Sequence, residues 1–223
     1  MSDESPEPFD LVVFDLDGTL VDSLPDIADA LNHALASQGL TPQPLEVVAT
    51  LVGDGIVALA ERALAVQPQP ASLTGLELSK LIWARYLERP CVLTKPYDGI
   101  LALLRTLQAR RVPMAVLTNK PGDVARPLLE ALGLTPFFMA IIGDNDGHPR
   151  KPDPAALVSL MSRVNAQPVR TVMVGDGVPD VLVAKAAGCV AAAALWGYTP
   201  RAVLLQAQPH NALMAPQQVL DVL

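Results

Sequence analysis

Apolar residues are distributed along this chain in three distinct patterns. The first is the short continuous run Leu11-Val12-Val13-Phe14, whose length and Val/Phe content suit a strand buried on both faces, over about 10–15. Asp15, Asp17, Gly18 and Thr19 interrupt it abruptly. The second pattern occupies residues 25–89, where apolar positions recur at helical spacing: Ile27, Leu31, Ala34 and Leu35, then Ile56, Leu59, Ala60, Ala63 and Leu64. No strand is expected there. Pro25 suits the first turn of a helix and Gly39 its C-terminal cap; a second helix is expected to start near Gly55 and a third to cover about 76–87.

The third pattern begins beyond Lys95-Pro96-Tyr97-Asp98-Gly99, where helices and strands alternate. Helices are expected over 100–111, 124–132, 154–164 and 181–187, and strands over 113–117, 138–142, 171–174 and 190–195. Such alternation implies an α/β fold with a Rossmann-like parallel sheet covered by helices on both faces. The first strand belongs to this alternation but is separated from it by the helical block, which therefore reads as an inserted all-helical cap. The expected organisation is a core of residues 1–22 and 96–223 with a cap of 23–95. The connections near 22–25 and 89–97 would be the hinges.

Composition narrows the function. A chain of 223 residues that is 51% hydrophobic can bury a substantial core. Its net charge of −7 and the lack of any basic block argue against a nucleic-acid partner or an acidic membrane surface. Cys91 and Cys189 stand far apart and suggest neither a metal-ligand spacing nor a disulfide framework. His33, His148 and His210 do not cluster, and His148 reads as a loop residue. Met1 to Pro8 is acidic and polar, unlike a signal peptide, and no apolar run reaches membrane-spanning length. A soluble, cytoplasmic protein is expected.

Each expected strand ends in polar residues suited to phosphate chemistry. The first ends in Asp15 and Asp17, the second in Thr118-Asn119-Lys120, and the fourth in Gly175-Asp176-Gly177-Val178-Pro179-Asp180; Arg150-Lys151-Pro152-Asp153 follows the third. Strand ends of a parallel sheet share one rim, so these groups can meet in one crevice. The set resembles the haloacid dehalogenase superfamily, in its phosphatase branch with a helical cap after the first strand. Asp15-Leu16-Asp17-Gly18-Thr19 matches the nucleophile motif, Thr118 the hydroxyl motif, Lys151 the lysine motif, and Asp176 with Asp180 the final acidic motif. Val52-Gly53-Asp54-Gly55, Thr118-Asn119-Lys120-Pro121 and Trp196-Gly197-Tyr198 further resemble segments of the bacterial phosphoglycolate phosphatases. Gly177 departs from the pattern, since many relatives carry Ser or Thr there, which leaves the hydrogen bonding around Asp176 open.

The resemblance implies a Mg²⁺-dependent phosphomonoester hydrolase. Asp15 would be the nucleophile, forming an aspartyl-phosphate, and Asp17 would protonate the leaving oxygen and later deprotonate water. Mg²⁺ would be held by the carboxylates of Asp15 and Asp176 and the backbone carbonyl of Asp17. Thr118, Asn119 and Lys151 would bind the phosphoryl group, with Asp180 orienting Lys151 or a metal-bound water. Gly53 and Gly55 are candidates for backbone contact with an anion from the cap. Arg62, Lys80, Arg85 and Arg89 are candidate partners for a substrate carboxylate, while Trp196, Gly197 and Tyr198 read as packing. The implied substrate is a small anionic phosphomonoester, 2-phosphoglycolate foremost; a sugar phosphate or phosphorylated amino sugar is the alternative. A 2-haloacid dehalogenase would have no need of Asp17 and Asp176, and a non-catalytic binding protein is the remaining contrast. The chain is expected to act as a monomer or homodimer.

Overall fold

The computed structural model of the chain describes residues 9–53, 55–68, 72–89 and 91–223. The acidic segment 1–8, Asp54 of the cap motif and Pro90 of the second connection lie outside the described residues. The apolar run forms strand β1 (Leu11–Phe14), in which every residue is buried. Alternation sends its side chains to opposite faces of the sheet: Val12 and Phe14 join one hydrophobic cluster, Leu11 and Val13 another. This run therefore lies at the centre of a double-sided core.

On either side of β1 the chain adds parallel strands β4 (Met114–Pro121) and β6 (Thr171–Gly175). Outside them lie β5 (Ala140–Asp144) on one flank and β7 (Val190–Ala194) with β8 (Asn211–Leu213) on the other. The six-stranded order is β5-β4-β1-β6-β7-β8, and every pairing is parallel. Helices α5 (Ile100–Ala109) and α6 (Gly122–Ala131) pack on one face, and α7 (Ala155–Val164), α8 (Val178–Ala186) and α9 (Arg201–Gln206) on the other. The sheet and its two helical layers thus agree with the fold class expected from the alternation.

Between β1 and this array the chain inserts four helices: α1 (Leu24–Ser37), α2 (Leu45–Leu51), α3 (Ile56–Ala65) and α4 (Gly75–Glu88). Pro25 lies in the first turn of α1, and Gly39 just beyond it has φ +69°. A capping box fixes the start of α4, where the Thr74 hydroxyl accepts from the Glu77 amide and the Glu77 carboxylate accepts from the Thr74 amide. The four helices share their own cluster, built on Leu31, Leu35, Leu59, Leu78 and Ile82, which also takes in Val124 of α6. The chain leaves and re-enters the core as a two-stranded antiparallel ribbon of β2 (Val21–Asp22) and β3 (Lys95–Pro96).

Several elements depart from the pattern-based expectation. The 140–144 strand starts two residues later than expected because Thr135–Phe137 close a 3₁₀ turn and Phe138 packs edge-on against Phe14, ring centroids 6.4 Å apart. Strand β4 runs on through Thr118, Asn119 and Lys120, with a register shift against β5 between Leu117 and Pro121. Helix α8 starts earlier than expected, with Pro179 in its first turn. The short α2, α9 and β8 and the β2–β3 ribbon carry too few residues for a periodic signal. No helix among the described residues is long and apolar enough to cross a membrane.

Candidate active site

At the carboxyl ends of β1, β4 and β6 the polar strand ends meet. Asp15 follows β1 directly, and Lys151 reaches it from the loop between β5 and α7, with Nζ 2.9 Å from Asp15 Oδ1. The same ammonium lies 2.6 Å from Asp180 Oδ1 and donates to the Leu117 carbonyl at 2.9 Å. Its side chain is only 3% exposed. Burial works against the Lys151 charge, but Asp15 and Asp180 outweigh it and hold the pKa above the ordinary lysine value. Asn119 fixes the Lys151 backbone from β4, accepting its amide at 2.9 Å and donating to its carbonyl at 3.3 Å.

Asp176 is buried behind these groups. Thr19 donates to its Oδ1 at 3.0 Å, and the amide of Tyr198 donates to its Oδ2 at 2.8 Å. Those two donors settle the hydrogen bonding that Gly177 left open; the Gly177 amide instead donates to Asp180 Oδ2 at 2.9 Å. Burial, followed by the charges of Asp15 and Asp180, pushes the Asp176 carboxyl up to about 8. Gly18 is required here: its φ is +80°, and a Cβ at that position would overlap the Asp176 carboxylate.

Asp17 occupies the other side of the crevice. Its carboxylate pairs with Lys120 Nζ at 3.0 Å and accepts a short hydrogen bond from the Ser23 hydroxyl. Lys120 also sits over the Tyr86 ring of α4, 4.5 Å from its centroid, a cation–π contact. The Thr118 hydroxyl accepts the Lys120 amide at 3.1 Å, which leaves its own proton to donate into the cavity.

All the residues expected at the site line one cavity: Asp15, Asp17, Thr118, Asn119, Lys151, Asp176 and Asp180 on the sheet side, and Gly53 and Gly55 opposite. Gly55, with φ +84°, precedes α3 and lies so close to Arg150 that a Cβ would overlap its guanidinium. The basic residues Arg62, Lys80, Arg85 and Arg89 are not in the cavity lining. Arg62 donates to the Leu51 carbonyl, and Arg85 faces Asp29 at 3.0 Å and Glu88 at 3.5 Å; each is spent within the helical insert.

Sequence reasoning also missed groups that touch the site. Tyr198, expected as packing, lines the cavity, and its hydroxyl accepts the amides of Ser23 at 2.7 Å and Leu24 at 3.0 Å at the start of α1. Trp196 donates to the Thr19 carbonyl at 3.0 Å. The aromatic pair at 196–198 is therefore a brace between the motif loop and the first inserted helix.

The donor set can be tested against a divalent cation. Carboxylate oxygens of Asp15, Asp176 and Asp180 lie within 4.8 Å of one another, and Asp15 Oδ1 is buried with no aligned hydrogen bond. Hard oxygen donors gathered around an under-satisfied carboxylate fit Mg²⁺. Asp180, with both oxygens already engaged by Lys151 and Gly177, fits an orienting role better than a ligand role.

With this geometry established, comparison with known proteins is informative. A family described as haloacid dehalogenase-like hydrolase matches residues 9–188. The chain is 41% identical to phosphoglycolate phosphatase 1 of Pseudomonas aeruginosa over 191 residues, covering 84% of this chain and 70% of that protein. It is 34% identical to phosphoglycolate phosphatase of Pasteurella multocida over 220 residues, covering 96% and 98% of the two chains. Among solved structures, a predicted phosphoglycolate phosphatase from Haemophilus somnus superposes with a TM-score of 0.88 at 29% identity, covering 96% and 97% of the two chains.

Proposed function

The chain belongs to the haloacid dehalogenase-like hydrolases, and from that premise we propose that it is a Mg²⁺-dependent phosphatase that hydrolyses 2-phosphoglycolate to glycolate and phosphate. The observation that carries the reading is the meeting of Asp15, Asp17, Thr118, Lys151 and Asp176 in one cavity at the sheet's carboxyl edge.

In this reading an Asp15 carboxylate oxygen attacks phosphorus while the bond to the ester oxygen breaks, and Asp17 gives that oxygen its proton. Water then attacks the aspartyl-phosphate, Asp17 takes a proton from it, and phosphate leaves with Asp15 restored. Lys151, held by Asp180 and the Leu117 carbonyl, faces charge building on the phosphoryl oxygens, and Thr118 donates to one of them. Asp15, Asp176 and the backbone carbonyl of Asp17 would hold Mg²⁺, which neutralises phosphoryl charge and lets an anion enter an acidic site. Residues 23–95 would act as a cap over a core of 1–22 and 96–223, excluding bulk water, with 22–25 and 89–97 as hinges. Gly53 and Gly55 would offer backbone contacts to the substrate from that cap. The protein would work in the cytoplasm as a monomer or homodimer.

Phosphate release from a panel of phosphomonoesters, measured with Mg²⁺ and with EDTA, tests the reading. Turnover should require the metal, favour 2-phosphoglycolate over sugar and amino-sugar phosphates, and vanish in Asp15→Asn. Full activity in Asp15→Asn, or halide release from 2-haloacids in place of phosphate release, would refute it.

A further inference from the structure

We propose that Lys120 and Tyr86 together form the recognition site for the substrate's carboxylate, and so select a two-carbon acid phosphate; this rests on the phosphatase reading above. Among the described residues only two cationic side chains line the cavity, Lys151 and Lys120. Lys151 is held beside Asp15 by Asp180 and the Leu117 carbonyl, where it faces the phosphoryl group rather than the far end of the substrate. Lys120 is placed differently, 3.0 Å from Asp17 Oδ2. Asp17 is the group assigned to protonate the ester oxygen, so whatever lies one or two bonds beyond that oxygen comes within reach of the Lys120 ammonium. In 2-phosphoglycolate that group is the carboxylate.

A second observation points to the same place. The Tyr86 side chain is buried with its ring against Lys120, and no acceptor among the described residues takes its hydroxyl proton, since an ammonium can only donate. A buried hydroxyl proton without an acceptor is costly unless a ligand supplies one. A carboxylate on Lys120 can accept both the ammonium and the phenol proton, giving two donors with charge assistance. Exchange of partner from Asp17 to the substrate keeps the ammonium paired throughout.

Part of the wall disfavours longer polar substrates. Ile27, Ile56, Leu59, Ile82 and Val124 line the cavity, and none of the five can pair with the hydroxyls of a sugar. Hydroxyls pressed against such a surface lose their water without compensation.

The test compares kcat/KM for 2-phosphoglycolate with that for ethyl phosphate, which has the same two carbons and no carboxylate. The native enzyme should favour 2-phosphoglycolate. Lys120→Met should reduce that preference by on the order of 10- to 100-fold, and Tyr86→Phe by roughly 3- to 10-fold, whatever happens to absolute rates. Using the ratio cancels any effect exerted through Asp17, which both substrates share. Lys120→Arg, which keeps the charge, should retain more of the preference than Lys120→Met, and Tyr86→Phe keeps the packed ring should the lysine variants fail to fold. If rates fall equally for both esters in Lys120→Met and Tyr86→Phe, the pair merely positions Asp17 and the proposal is overturned while the phosphatase reading stands. If the native enzyme shows no preference for 2-phosphoglycolate, both the substrate assignment and the carboxylate site are overturned.

Discussion

Asp26 offers the sharpest test of how the two ends of the helical insert are fastened to each other. It lies in the first turn of α1 and is 4% exposed, and its carboxylate accepts four donors from the returning chain. These are the amides of Val92 and Leu93 at 3.0 Å, the Thr94 amide at 2.8 Å and the Thr94 hydroxyl at 2.6 Å. Substitution by Ala removes every acceptor at once. Val92 and Leu93 are half exposed, so their amides can turn to water, but Thr94 is 4% exposed and its two donors are stranded. At about 1–2 kcal/mol for each stranded donor, Asp26→Ala should cost roughly 2–4 kcal/mol. For a chain of 223 residues this lowers Tm by about 5–15 °C in a thermal melt followed by circular dichroism. Asp29→Ala, which removes an exposed partner of Arg85, is the control and should cost less than about 1 kcal/mol. The pH dependence has a definite sign. Burial raises the Asp26 pKa, but the Thr94 hydroxyl and the amides of 92–94 outweigh it and hold the carboxyl below its ordinary 3.8. The contribution is therefore complete above the unfolded value near 3.8 and fades as pH falls through the lower folded value. Equal losses for Asp26→Ala and Asp29→Ala at pH 7, or a difference that does not diminish however far the pH is lowered below 3.8, would refute the assignment.

The remaining predictions concern the site. Thr118→Val should lower kcat by on the order of 10- to 100-fold while Thr118→Ser stays near native, because the hydroxyl oxygen accepts the Lys120 amide and keeps its proton for a phosphoryl oxygen; stopped-time phosphate release measures it. Gly18→Ala forces a Cβ into the Asp176 carboxylate, so the Mg²⁺ concentration for half-maximal activity should rise roughly 10- to 100-fold in a metal titration. Tyr198→Phe strands the Ser23 amide at the start of α1, while the Leu24 amide keeps Asp22 Oδ1 at 3.3 Å, and should cost about 1–2 kcal/mol in urea unfolding.

Much of this arrangement was legible in the sequence because both fold and chemistry were local signals. The run Leu11 to Phe14 sits centrally since its alternate residues fill two separate clusters, and the acids that end it fall at the sheet rim by continuity of the chain. What was not legible depends on contacts between distant segments. Lys120 and Asp17 are 103 positions apart, and Tyr198 and Ser23 are 175 apart. Tyr86 belongs to an amphipathic helix whose other buried members include plain core residues such as Leu78. The arginines of the insert looked like anion receptors on charge alone, but local acids and carbonyls satisfy Arg85 and Arg62 before any ligand is considered.

Those long-range contacts converge on a single carboxylate. Asp17 is reached by the Ser23 hydroxyl from the beginning of the insert and by Lys120 from β4. Tyr86, from the last inserted helix, supports that same lysine through its ring. Asp17, the proposed proton carrier, is thus held jointly by the sheet and by both ends of the helical block, whereas the contacts of Asp15 and Lys151 among the described residues come from the sheet and its loops. Displacing the insert would leave the proposed nucleophile and its lysine intact and disturb the proposed acid. Changes on the inner face of the insert should for this reason alter leaving-group chemistry along with substrate affinity, because the same few contacts govern both.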